Sequence, residues 1–248
     1  MDISVVIIVK NASLTIEETL RSIKAFNEVI LYDNGSTDKT IEIAKNFKNV
    51  KIIKGEFFGF GPTKNLAAKF AKNKWIFSLD ADEVVSSELL NSIMSLSPQQ
   101  DTVYSIVRYN YYKGKRIRSK IGKDVIFRLY NKEEVLFNDK LVHESLVINK
   151  TKKQRLSGIV KHNSYQGISD FINKIDEYSN LYANTQGHKK KTSPSIAFYS
   201  ALWSFVRFYI IKYGFIDGYR GLLFSVTGAC TTFYKKIKLY EVNKFNKE

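Results

Sequence analysis

The sequence predicts an α/β protein, with a mostly parallel sheet covered by helices on both faces over residues 1–165 and a helical, basic and apolar C-terminal region over residues 166–248. Three observations predict it. Short β-branched runs alternate with segments of helical period through the first eighty residues, the pattern of a parallel sheet with crossover helices. The runs are apolar throughout, as strands covered on both faces must be. Beyond residue 165 the composition shifts to aromatic, apolar helices flanked by lysines.

In order, Ile3 to Val9 is a β-branched strand, and Ile16, Leu20 and Ile23 mark a helix after the loop Asn11 to Thr15. Val29 to Leu31 is a second strand that ends at Asp33. The turn Asn34-Gly35-Ser36 follows, and Thr37 or Asp38 caps a helix carrying Ile41, Ala44 and Phe47. Val50 to Ile53 is a third strand, Gly55 to Pro62 an aromatic loop, and Lys64 to Lys72 a third helix. Trp75 to Leu79 is a central strand that runs out into Asp80, Asp82 and Glu83. Ser86 or Ser87 caps a helix whose Leu89, Leu90, Ile93 and Met94 belong to the core. Strands are expected at Thr102 to Tyr112, Val125 to Tyr130, Val135 to Phe137 and Leu156 to Lys161, with Thr151 to Arg155 a solvated loop. Ile168 to Tyr182 is an amphipathic helix stopped by Gly187. Pro194 opens an apolar helix through Ile211, and Leu222 to Phe233 is another that ends at Lys235, Lys236 and Lys238.

The acids after Leu79 are the sharpest functional signal. In extended chain Asp80 and Asp82 would share a face, and two carboxylates so close repel unless a cation lies between them. Oxygen-only ligands favour Mg²⁺ or Mn²⁺. A plainer reading makes Asp82 and Glu83 the lead into the next helix. Ligands of open parallel sheets bind beyond the carboxyl ends of the strands, where Lys10, Asn11, Asp33 and Asp80 to Asp82 all fall. No glycine-rich phosphate fingerprint follows the first strand, which disfavours a dinucleotide-binding enzyme.

Charge narrows the partners. The net charge is +15, with 17 Lys/Arg against 6 Asp/Glu in residues 146–248. Phosphorylated substrates and anionic lipid fit such a surface. A non-enzymatic basic nucleic-acid-binding module is the rival from another class, but nucleic acid is not expected as a partner, because the basic residues sit among apolar helices instead of a polar groove. A single cysteine, Cys230, excludes an intrachain disulfide framework and suits a reducing compartment. The opening MDISVVIIVKN reads as a first strand and not as a signal peptide. The C-terminal apolar helices are too interrupted to span a bilayer and suit a monotopic pair in the headgroup region, the alternatives being a helical subdomain packed on the sheet or a dimer interface.

The segments SVVIIVKN (Ser4 to Asn11), VILYDNGSTDKTIEIAK (Val29 to Lys45), GPTKNLAAKFAKNKWIFSLDADE (Gly61 to Glu83) and LVHES (Leu141 to Ser145) together resemble the family 2 inverting glycosyltransferases of GT-A fold. They are similar in particular to small bacterial enzymes of lipopolysaccharide inner-core assembly. The resemblance implies that Asp82 ligates a divalent ion, that Asp80 contacts the ion or the donor ribose, and that Asn11 and Asp33 hold base and ribose. It also implies Lys64 near the pyrophosphate or uracil, with Asn65 beside it. Inversion needs a general base, for which Glu144 ranks first and Asp124 second, and His143 stands as a third metal ligand. An ion pair of Glu144 with Lys140 or Arg128 is the structural alternative. The implied partners are a nucleoside-diphosphate sugar, a lipid-anchored glycan acceptor and an anionic membrane, at the cytoplasmic face of the bacterial inner membrane. A sugar nucleotidyltransferase is the rival enzyme class, but Asn11 to Thr15 lacks its glycine-rich, basic loop.

Overall fold

The computed structural model describes residues 2–139, 144–148, 151–187 and 190–245. Strand β1 (Ile3–Val9) is buried along its whole length because it is hydrogen-bonded on both sides and covered on both faces. It pairs in parallel with β2 (Val29–Asp33) on one side. The crossover between them carries helix α1 (Ile16–Ser22), whose Ile16 and Leu20 join the core. Helix α2 (Thr40–Ala44) returns the chain to β3 (Val50–Lys54), parallel to β2. Helix α3 (Phe60–Lys69) then carries it back across to β4 (Trp75–Asp80), parallel to β1 on its other side. The order β3-β2-β1-β4 therefore reverses direction at β1. The helices on either side of a reversal diverge, which leaves a crevice at the carboxyl ends of β1 and β4.

Beyond β4 the sheet is mixed. Short β5 (Glu83–Val85) leads into α4 (Ser87–Met94), followed by β6 (Thr102–Tyr112), β7 (Lys115–Arg116), β8 (Lys123–Asn131) and β9 (Lys152–Tyr165). The full order is β3-β2-β1-β4-β8-β6-β9-β5, with β7 paired to β6. Strand β8 is antiparallel to β4, pairing Leu129 with Phe77 and Tyr130 with Ile76. The helical remainder comprises α5 (Ile168–Gln186), α6 (Pro194–Val206), a π-helical turn at Arg207–Ile211, a 3₁₀ turn at Gly214–Asp217 and α7 (Tyr219–Phe245). Two compact units result. One comprises residues 1–109 and 124–163; the other comprises 110–123 and 164–248. No described helix is long and apolar enough to cross a membrane.

Several boundaries differ from the sequence reading for physical reasons. Thr151 to Arg155, read as a solvated loop, is almost wholly absorbed into the 14-residue β9, whose backbone is paired while the side chains of Lys152 to Arg155 stay exposed. Helix α3 starts at Phe60 rather than Lys64, because Pro62 sits in its first turn, where no intrahelical N–H is needed. Val135 to Phe137 is not a strand among the described residues; only a single bridge, Phe137 to Leu146, forms there. Ser86 caps α4 as expected, accepting from the Leu89 amide, and Leu89 and Ile93 are buried.

Gly158, inside β9, has φ +90°, and a Cβ there would lie 2.2 Å from the Leu89 amide nitrogen. The strand crosses the start of α4 at backbone contact distance, and only glycine provides both the dihedral and the room. Gly158→Ala should lower unfolding free energy by about 3 kcal/mol, the sum of positive-φ strain and overpacking. Urea denaturation read by circular dichroism checks it.

Candidate active site

The end of β4 is an ion-pair cluster whose Glu83, Lys64 and Arg128 are buried and whose Asp80 and Asp124 still reach water. Asp80 Oδ1 accepts from Lys64 Nζ at 2.9 Å, and its Oδ2 is gripped by Arg128 Nη2. Glu83 is fully buried. Its Oε1 accepts from Arg108 Nη1 and Arg128 Nη2, each at 3.0 Å, and its Oε2 accepts from the Asp80 amide at 3.0 Å. Arg108 also reaches Asp124 at 3.1 Å, and Lys64 reaches Glu144 Oε1 at 2.7 Å. Three cations thus face four carboxylates in one connected network.

Local structure explains how each member arrives. The reversal at β1 puts the end of β4 in the crevice, and the order β4-β8-β6 brings Arg128 and then Arg108 over it. Gly61, Lys64 and Asn65 recur at i, i+3 and i+4, so they share one face of α3. That face lies against Phe137, Asn138 and Glu144. A Cβ on Gly61 would be 1.9 Å from the Asn138 carbonyl oxygen, so the missing side chain is what lets the helix approach the segment that carries Glu144. Asn65 fixes the same segment, donating to the Phe137 carbonyl and accepting from the Phe137 amide at 2.9 Å each.

Burial should disfavour charge on Asp80, yet Arg128 and Lys64 outweigh that desolvation and hold its carboxyl well below the usual carboxylate range. Desolvation likewise works against the Arg128 guanidinium, but Asp80 and Glu83 raise its pKa. Asp80 and Arg128 therefore stay ionised as a pair.

The loops after β1 and β2 are stitched together. Asn11, at φ +52°, accepts from the Thr37 amide through Oδ1, and its own amide donates to Ser36 Oγ. Ala12 and Ser13 donate to Thr40 and Asp38. The slight desolvation of Asp38 is outweighed by hydrogen bonds from Thr40 and Ser13, which keep its carboxyl strongly acidic.

The expected residues separate into groups. Asp80, Lys64, Glu144 and Asp124 all meet in the cluster. Lys64 is buried between two carboxylates rather than standing at the surface. Glu144 pairs with Lys64, not with Arg128; Lys140 and His143 lie outside the described residues. Asp33 is buried and its Oδ1 accepts from the Ser36 amide, which closes the turn after β2. Lys10 is exposed at the end of β1. Asn65, expected beside Lys64 at the donor, is bonded through both ends of its amide to the Phe137 backbone. The shared face predicted for Asp80 and Asp82 is corrected, because β4 stops at Asp80 and residues 81–82 turn. Asp80 faces Arg128 and Lys64, whereas Asp82 Oδ1 lies 3.5 Å from His162 Nε2.

Glu83, Arg108, Arg128 and His162 are site residues that the sequence reading did not assign. Only pairing brings His162 in, since β9 sets it opposite Glu83 on β5. A buried acid at a strand end, as Glu83 is, requires arginines elsewhere in the chain, and that was the available signal. Among the described residues no three His, Cys, Asp or Glu side chains converge as a ready-made metal site. Both oxygens of Asp80 already serve cations, so it does not fit as a ligand in this geometry. The carboxylate of Asp82 with the imidazole of His162 beside it does fit a divalent ion whose other ligands come from substrate phosphates.

The chain belongs to glycosyl transferase family 2, whose family model matches residues 4–155. It is a glycosyltransferase. It is 33% identical over 260 residues to an uncharacterized glycosyltransferase of Rickettsia typhi, an alignment covering 97% of this chain and 87% of that one. It is 22% identical over 256 residues to the lipopolysaccharide core biosynthesis glycosyltransferase LpsC of Rhizobium meliloti, covering 97% and 93%. Among solved structures it is similar to S. aureus TarS 1-349 in complex with UDP-GlcNAc, 14% identical with a TM-score of 0.48, covering 98% and 91%, a likeness too distant to bear on the site.

Removing one member of a buried charge network strands its partners. Glu83→Ala should cost roughly 3–5 kcal/mol in urea unfolding. Asp80 titrates near 3.8 when unfolded and well below that when folded. The unfolded chain therefore takes up the extra proton as the solution is acidified. The stabilisation from Asp80 is complete above about pH 5 and lost as the pH falls below about 4. Asp80→Asn should be less stable at pH 7 and show a shallower acid dependence, measured as urea midpoint against pH.

Proposed function

We propose that this glycosyltransferase moves a hexose, with inversion, from a nucleoside-diphosphate sugar to a lipid-anchored glycan acceptor of lipopolysaccharide or related surface-glycan assembly. UDP is the nucleotide assigned to the donor. The observation that carries the reading is Lys64, buried and bonded at once to Asp80 and to Glu144. It joins the strand end where donors bind to the carboxylate best suited to act as base, inside the family-matched span. Relationship to the core-biosynthesis enzyme LpsC supports the acceptor class.

The roles follow from the chemistry. Glu144 takes the proton of the acceptor hydroxyl, whose oxygen forms a bond to the anomeric carbon as the bond from that carbon to the donor phosphate breaks. The electron pair of the broken bond leaves with the nucleoside diphosphate, and attack from the opposite face inverts the configuration. Lys64 orients Glu144 through their hydrogen bond, Asn11 and Asp33 line the nucleotide side, and Asp124 holds Arg108 at the rim. A divalent ion held by Asp82 with His162 beside it would neutralise charge on the departing diphosphate. The reading sets the reaction at the cytoplasmic face of a bacterial inner membrane, where the activated donor is available.

Calorimetric titration with UDP, GDP, CDP and ADP, with Mn²⁺ and again with chelator, tests the donor side. UDP should bind only with metal, and Asp82→Ala should abolish that binding. Binding unaffected by chelator would remove the ion from the reading. Glu144→Gln retains an acceptor for Lys64, so it should preserve UDP affinity while kcat falls about 10²- to 10⁴-fold. Unchanged turnover would exclude Glu144 as the base.

A further inference from the structure

The second unit carries a charge excess that contiguous stretches of sequence conceal. Residues 110–123 and 164–248 together hold 18 Lys/Arg against 6 Asp/Glu, and six of those cations lie within residues 110–123, which have no acid at all. Lys113, Lys115, Arg116, Arg118, Lys120 and Lys123 are all exposed. Their segment is fixed by its own core, where Tyr112 and Ile117 pack with Phe171, Tyr165 and Phe224.

The same segment abuts an apolar surface. The Lys120 amide donates to the Lys212 carbonyl at 3.1 Å, and Lys120 Nζ lies 5.1 Å from the centre of the Tyr213 ring. Asp217, the lone acid between residues 190 and 240, accepts from the amides of Arg118 and Ser119 and so is engaged within the unit. Around this junction Ile210, Ile211, Phe215 and Ile216 are each about half exposed, at 47–52%. Helix α6 extends the surface. Its Ala197 and Ser204 are buried, with Ser204 bonded to Thr232 of α7. Ile196, Phe198, Tyr199, Leu202 and Trp203 are exposed, and at 100° per residue they fall in one arc of roughly 160° on the opposite side.

A soluble monomer rarely exposes so many large apolar side chains within one helical unit. A second copy is a poor cover, because a symmetric interface would bring two strongly basic faces together. Ile210, Ile211 and Ile216 lie exposed among the aromatic rings, and such aliphatic side chains suit lipid better than base stacking. No described helix is apolar and long enough to cross a bilayer, so the surface suits lying on one.

We propose that this face docks on an anionic bilayer, with Leu202, Trp203, Ile210, Ile211, Phe215 and Ile216 in the headgroup–acyl boundary and the 113–123 cations on lipid phosphates. The docking does not depend on sugar transfer, so failure of either leaves the other standing. It would hold the enzyme where a lipid-anchored acceptor is presented.

The test is co-sedimentation of the full chain with vesicles of phosphatidylcholine alone and of phosphatidylcholine mixed with phosphatidylglycerol, at low and high salt. The chain has two tryptophans, and Trp75 is buried while Trp203 is exposed, so a vesicle-induced blue shift of emission reports Trp203. The expected result is salt-sensitive binding to the anionic vesicles with a blue shift that Trp203→Phe removes. The triple change Lys115→Gln, Arg116→Gln, Arg118→Gln should weaken binding about 100-fold at low salt. Ile210→Glu with Ile211→Glu should also reduce it at least tenfold, with circular dichroism and UDP affinity unchanged. No binding to anionic vesicles by a folded monomer overturns the proposal. So does a stable dimer in sedimentation velocity that protects Trp203 from quenching, or binding to a random oligonucleotide in place of vesicles.

Discussion

A carboxylate fully removed from water needs positive charge delivered to it, and Glu83 imposes that requirement on the carboxyl end of β4. Arg108 and Arg128, from two strands distant in sequence, converge on its Oε1. The same guanidinium groups then reach Asp80, and Lys64 completes the set from the helical side. Neutralising such a group with apolar residues would often stabilise a protein, so its presence suits a role beyond stability. In a glycosyltransferase, fixed and ionised groups at the strand ends are an oriented field that needs no rearrangement when charge moves during reaction.

The cluster also ties fold to site more closely than packing alone could. Gly61 sets how near α3 approaches Asn138 and Glu144, and Asn65 pins Phe137 with two bonds. Lys64, one residue earlier on that helix, then meets Glu144 at hydrogen-bond distance. A shift of α3 would therefore change the charge environment of the candidate base, because helix position and pairing are carried by adjacent residues.

Much of the parallel half was legible from sequence, because its signals are local. A continuous β-branched run gave β1, short apolar runs gave β2 and β4, and Ser86 with Leu89 and Ile93 gave a capped amphipathic helix. The crevice followed from strand order, and with it the placing of Asp33 and Asp80. What escaped depends on pairing between distant segments. His162 reaches Asp82 only through the register of β9 with β5, and Arg108 and Arg128 read as ordinary strand residues until Glu83 is known to be buried. Period-two reasoning also failed for Asp82, because the chain turns immediately after Asp80. The cations of residues 113–123 were hidden for a related reason: their unit is assembled from two separate stretches of chain.

That assembly bears on modularity. The chain enters the second unit at residue 110, leaves it at 123 and returns at 164. Cutting after residue 163 would not release a self-contained catalytic fragment, since Tyr112 and Ile117 would lose Phe171, Tyr165 and Phe224 as their cover. An evolutionary exchange of the C-terminal helices must likewise bring its own 110–123 insert or keep one that matches. The helical unit is thus inherited as a pair of segments, and recombination can move it intact only by touching the middle of the catalytic sequence.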